Sequence, residues 1–150
     1  MKAISLKFIL VFLLFPLAAS AQDLKPLLDK VEGMVKSNLA DWKPIIRTIH
    51  SDDASYNWRL EDKSLNLFIK QTESKERAAV DLQSVLSGLS VRPREKIEGL
   101  GDESLLSISK GNGYCSIVFR KSNFLILLSA PSLAMGESLA REIAAMIESK

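Results

Sequence analysis

Residues 104–129 read SLLSISKGNGYCSIVFRKSNFLILLS, and this stretch decides the fold. Three apolar runs follow one another with only four or so residues between them. Ser104 to Ser109 carries Leu105, Leu106 and Ile108. Lys110-Gly111-Asn112-Gly113 is a turn signal, because Gly and Asn tolerate positive φ. Tyr114 to Arg120 forms the second run, Lys121-Ser122-Asn123 the next turn, and Phe124 to Ser129 the third. Runs this short, punctuated this tightly, predict three antiparallel strands. Phe124-Leu125-Ile126-Leu127-Leu128 has no polar alternation, which predicts a central strand covered on both faces.

Working outward, the alternating period recurs upstream. Tyr56, Trp58 and Leu60 alternate with Asn57 and Arg59; Glu61-Asp62-Lys63-Ser64 turns the chain, and Leu65, Leu67 and Ile69 continue. This predicts a hairpin with one wet face, partly covered on the second where Phe68 breaks the pattern. Between the strand groups, Ala78, Ala79, Leu82, Val85, Leu86 and Leu89 mark the buried stripe of a helix from about Glu73 to Ser87. Thr72 suits its N-cap and Gly88 its end. Leu24, Leu27, Leu28, Val31, Met34 and Val35 predict an earlier helix capped by Asp23, with Pro26 in its first turn. Pro44, Ile45, Ile46 and Ile49 are read as a short second helical piece. A last helix, about Met135 to Ser149, carries Leu139, Ile143, Met146 and Ile147. The expected fold is α+β, an antiparallel sheet of about five strands in the order α-ββ-α-βββ-α, packed against helices.

The start of the chain has a different character. Lys2 and Lys7 precede the apolar run Phe8 to Phe15, and Ala19-Ser20-Ala21 supplies a small-x-small cleavage pattern. Residues 1–21 therefore read as a cleaved signal peptide, with 22–150 as one domain, working in the periplasm or secreted. Without Lys2 and Lys7, 18 basic residues face 18 acidic ones. A neutral chain lacks the clustered cations that nucleic acid or an anionic membrane requires. Cys115 is the one cysteine, so no internal disulfide forms and stability must come from packing.

Gly99-Leu100-Gly101-Asp102-Glu103-Ser104, then Phe119-Arg120-Lys121-Ser122-Asn123, and a helix holding Leu139-Ala140-Arg141 resemble a pattern found in exported bacterial α/β domains, mostly of unknown function. The extracellular sensor domains of some actinobacterial Ser/Thr kinases are distantly similar. The resemblance spans about the last third of the chain and implies the fold and the exported location. It transfers no activity. Ser122 stands where the pattern usually has Gly, and the disulfides of the kinase sensors have no counterpart here.

Candidate chemistry is sparse. The two glycines of Gly99-Leu100-Gly101 lead into a strand, whereas a phosphate loop opens a helix and carries a third glycine; Ser104 occupies that place. The motif reads as a tight turn before an edge strand, with Asp102 accepting from turn amides. Cys115 reads as a core cysteine. One Cys and one His leave no structural zinc set, the calcium-loop spacing is absent, and no cofactor motif is present. Trp42, Tyr56 and Trp58 read first as core aromatics, since aromatics in strands are mostly packed inward. As the alternative, ligand or partner contact falls on Tyr56 and Trp58, because aromatics dominate recognition surfaces, and on Arg94, Asp102 and Glu103 in or beside the long connection after Gly88. The leading expectation is a non-catalytic binding or accessory module meeting a protein or small ligand of the cell envelope. The alternative is a small hydrolase-like enzyme using His50 with Asp52, Asp53 or a serine. A homodimer joined through an exposed edge strand is a third arrangement.

Overall fold

The computed structural model describes residues 23–88, 95–109 and 111–148. The signal-like start and the expected contact residue Arg94 lie outside them. Among the described residues the elements are α1 (Leu24–Asn38), β1 (Lys43–Ile49), β2 (Asp53–Leu60), β3 (Lys63–Gln71), α2 (Lys75–Gly88), β4 (Glu103–Ile108), β5 (Cys115–Lys121), β6 (Phe124–Ala130) and α3 (Leu133–Met146). The fold is α+β. Its sheet has six strands in the order β1-β2-β3-β6-β5-β4, every neighbouring pair antiparallel.

The sixth strand is the segment expected to be helical. Pro44 and four β-branched residues (Ile45, Ile46, Thr48 and Ile49) disfavour a helix and suit an edge strand. β1 pairs with β2 alone, bulges between Pro44 and Ile46, and is exposed at all seven positions. It covers neither face of a core, so its isoleucines carry no period of burial to read.

Alternation along the other strands sorts the side chains onto two faces. On the first lie Ala54, Tyr56, Trp58, Leu65, Leu67, Ile69, Cys115, Ile117, Phe119, Phe124, Ile126, Leu128 and Ala130, in one core with the apolar faces of α1 and α3. Each large side chain buried here stabilises the fold by roughly 1.5–3 kcal/mol. α2 lies on the second face, where Leu82 and Leu86 form a separate small cluster with Val118 and Leu125. β6 thus has apolar residues on both sides and is central, as its unbroken apolar run predicts.

The helix ends differ from expectation in detail. Asp23 is the N-cap residue of α1, as expected, but its side chain makes no cap bond, and Gln71 Oε1 accepts from the Leu24 amide at 3.1 Å. Ser74 accepts from the Arg77 amide at the start of α2. Thr72 is instead spent on Asn123: its amide and hydroxyl each donate to the Asn123 carbonyl at 2.8 Å, and Asn123 Nδ2 returns a bond to the Thr72 carbonyl. Ser132 caps α3 through the Met135 amide. Gly136 then brings α3 close to β5, since a Cβ there would stand 2.5 Å from Cys115 Sγ.

Candidate functional site

Tyr56 and Trp58, two residues apart on β2, point to the same face. That face is the one under α1, and their rings stack at 5.1 Å with planes 5° apart. Both are buried, as is Trp42 in the turn between α1 and β1. Their edges still reach a groove of about 440 Å³ between the end of α1 and β1, lined also by Val35, Lys36, Leu39, Pro44, Arg47 and Glu32. The expected aromatic site is therefore concave and walled by helix, not set on an open sheet.

Glu32, one turn before the end of α1's buried stripe, organises the rim of this groove. Its Oε1 accepts from the Tyr56 hydroxyl at 2.9 Å and from Arg47 Nε at 2.9 Å. Burial pushes the Tyr56 phenol well above its ordinary value, and the bond to Glu32 adds to this, so it stays a neutral donor. A carboxylate that accepts twice at one oxygen keeps its second oxygen for an incoming donor. Glu32 was missing from the sequence reading because it lies on the polar flank of α1, and only the β1–β2 register sets Arg47 beside Tyr56.

Asp102 and Glu103 are elsewhere. Asp102 Oδ2 accepts from the Ser122 amide at 2.8 Å, the Asp102 amide donates to the Arg120 carbonyl at 2.8 Å, and Glu103 pairs with Arg120 Nε at 3.2 Å. Gly101, at φ +63, packs so tightly that a Cβ would stand 2.4 Å from the Arg120 carbonyl oxygen. The two halves of the Gly-Leu-Gly-Asp-Glu and Phe-Arg-Lys-Ser-Asn pattern thus meet in space as a clasp at the start of edge strand β4. The structure gives these two residues a structural task and does not bring them to Tyr56 and Trp58.

His50 lies in the β1–β2 turn, its side chain 62% exposed, with Nδ1 2.8 Å from Asp53 Oδ1. This partner holds the imidazole pKa above the ordinary value. The Ser51 hydroxyl donates to Asp52 at 3.2 Å rather than to the imidazole. Cys115 is fully buried, its Sγ donates to the Ser132 carbonyl, and burial raises its thiol pKa, the opposite of an activated nucleophile. Among the described residues no group of three or more His, Cys, Asp or Glu is placed to hold a metal ion, and no helix is long and apolar enough to cross a membrane.

No family model matches the sequence, and no curated protein matches it either. Among solved structures, a GTP-binding regulator from Thermotoga maritima is similar in fold, with a TM-score of 0.52 at 15% identity over 81% of this chain and 87% of that one. At that identity the likeness concerns the fold alone.

Proposed function

We propose that the protein is an exported, non-catalytic binding domain whose ligand seats in the groove of Trp42, Tyr56 and Trp58. The observation that carries this reading is the groove itself: apolar aromatic walls beside one oriented carboxylate, the usual composition of a small-ligand site. Arg47 and Tyr56 both donate to Glu32, and such a set orients a ligand rather than moving its protons. The basic and apolar start of the chain, with its small-x-small pattern at Ala19-Ser20-Ala21, supports export. The resemblance to exported domains of the sensor type points the same way.

The nucleotide named for the structural neighbour finds no counterpart in this groove. A triphosphate calls for a glycine loop opening a helix, with a lysine reaching the phosphates. Here Gly99-Leu100-Gly101 opens β4, and its geometry is spent on Arg120 and Ser122. A hydrolase built on His50 has an oriented imidazole in its favour, but the neighbouring hydroxyl is turned to Asp52.

The chain's two tryptophans both line the groove, so intrinsic fluorescence reports on it without a label. Titration with a panel of small aromatic amines and short aromatic peptides is expected to give a saturable emission change that Glu32→Gln weakens. Emission unmoved by every member of the panel would remove the reading. N-terminal sequencing of the protein from the exported fraction tests the location, with Gln22 expected as the first residue.

A further inference from the structure

The second face of the sheet holds a feature that the groove does not use. The strand registers align Ile46 with Asn57, Asn57 with Asn66, Asn66 with Ser129, Ser129 with Ser116, and Ser116 with Ser107. Five uncharged hydrogen-bonding side chains thus stand in one row across β2, β3, β6, β5 and β4, all on the face that α2 covers only in part. Over four members of the row, Asn57, Asn66, Ser129 and Ser116, lies a depression of about 370 Å³, walled by Phe68, Val85, Val118 and Leu127.

Much of the row's hydrogen-bonding capacity is unspent. Asn57 Nδ2 donates to Asn66 Oδ1 at 2.6 Å, which leaves the Asn57 carbonyl oxygen and the Asn66 amide as an adjacent acceptor and donor. The buried Ser107 hydroxyl oxygen has no partner. No partner is seen among the described residues for the hydroxyls of Ser116 and Ser129.

We infer that this row binds a neutral, linear saccharide. The residues lining the depression include no Lys, Arg, His, Asp or Glu, so nothing there compensates a phosphate, a carboxylate or an ammonium group. Paired donors and acceptors match vicinal hydroxyls, and Phe68, Val85 and Leu127 offer an apolar wall to the C–H faces of sugar rings. Successive positions of the row are one strand apart, about 4.8 Å, so an elongated ligand lying across the strands meets them in turn. A neutral peptide is the competing occupant and serves as the control.

Calorimetric titration of the whole protein with cello-, malto- and chito-oligosaccharides tests this, with polygalacturonate and a neutral Ser/Asn-rich peptide alongside. One neutral series is expected to bind, more tightly from the monosaccharide to the short oligomers that span Asn57 to Ser116. Asn66→Ala and Ser129→Ala should each weaken that binding by about tenfold, the equivalent of 1.4 kcal/mol. Asn66 is exposed, so its truncation leaves the core intact. Tryptophan emission should not change, since both rings lie on the other side of the sheet, and this separates the row from the groove. No heat from any neutral oligosaccharide at up to about 10 mM would overturn the inference. So would binding that Asn66→Ala leaves unchanged, or a preference for the peptide.

Discussion

Ser122 sits at φ +54 in the β5–β6 turn, a conformation that costs a residue with a Cβ about 1–2 kcal/mol and costs glycine little. The related pattern has glycine there. Ser122→Gly gives back part of its gain through the more flexible unfolded chain, so the net expectation is stabilisation by about 0.5–1 kcal/mol in urea denaturation. Its amide bond to Asp102 survives the change, and a loss of stability would mean that the serine side chain has a role of its own. His50 offers a second residue-level test. Its pKa is raised by Asp53, so the pair adds stability that is full below the unfolded value of about 6.5 and fades as pH rises through the folded one. NMR titration of the imidazole is expected to give a midpoint above 6.5, and Asp53→Asn to bring it down.

At the level of elements, the contact between α3 and β5 turns on one missing methyl group. Gly136→Ala would place a carbon 2.5 Å from Cys115 Sγ, and the expected loss is about 1–3 kcal/mol. In a Cys115→Ala background the sulfur is gone and the penalty shrinks, so a double-mutant cycle should give a coupling of about 1 kcal/mol or more. Additive effects would place the strain elsewhere in α3. The sequence foretold α3 and β6 well, because Leu139 and Ile143 keep a helical period and Phe124 to Leu128 keep none. β1 was illegible for the opposite reason. A strand buried on neither face has no alternation, and Ile45, Ile46 and Ile49 happen to fall at helical spacing. Tyr56 and Trp58 were found as residues, but the side they face depends on where α1 docks. The polar row was beyond reach, since its members come from five strands and only the registers align them.

For the molecule as a whole, the two faces of the sheet are unequally held. α1 and α3 share a large core on the first face, whereas α2 rests on the second through Leu82 and Leu86 against Val118 and Leu125. Smaller apolar contact means a smaller free energy for local opening. Hydrogen exchange is therefore expected to protect β5 and β6 most strongly and α2 least among the long elements. Equal protection of α2 and β6 would mean that the domain opens only as one unit. The sheet's free edges bear on assembly. β4 is bridged by Glu95 at Leu106, and β1 is interrupted by Pro44 and the bulge at Ile45. Sedimentation over the micromolar range measures whether either edge joins two copies.

The clasp has a consequence for how the chain may be cut. Asp102 at the head of β4, Ser122 and Asn123 between β5 and β6, and Thr72 after β3 are bonded to one another at a single pole of the sheet. Three distant parts of the chain are knotted there, while Gly111 and Asn112, in the β4–β5 connection, are exposed. Circular permutation with new termini at Gly111 and Asn112 is expected to return a folded protein. Opening the chain between Ser122 and Asn123 severs the knot in its middle, and that permutant should not fold.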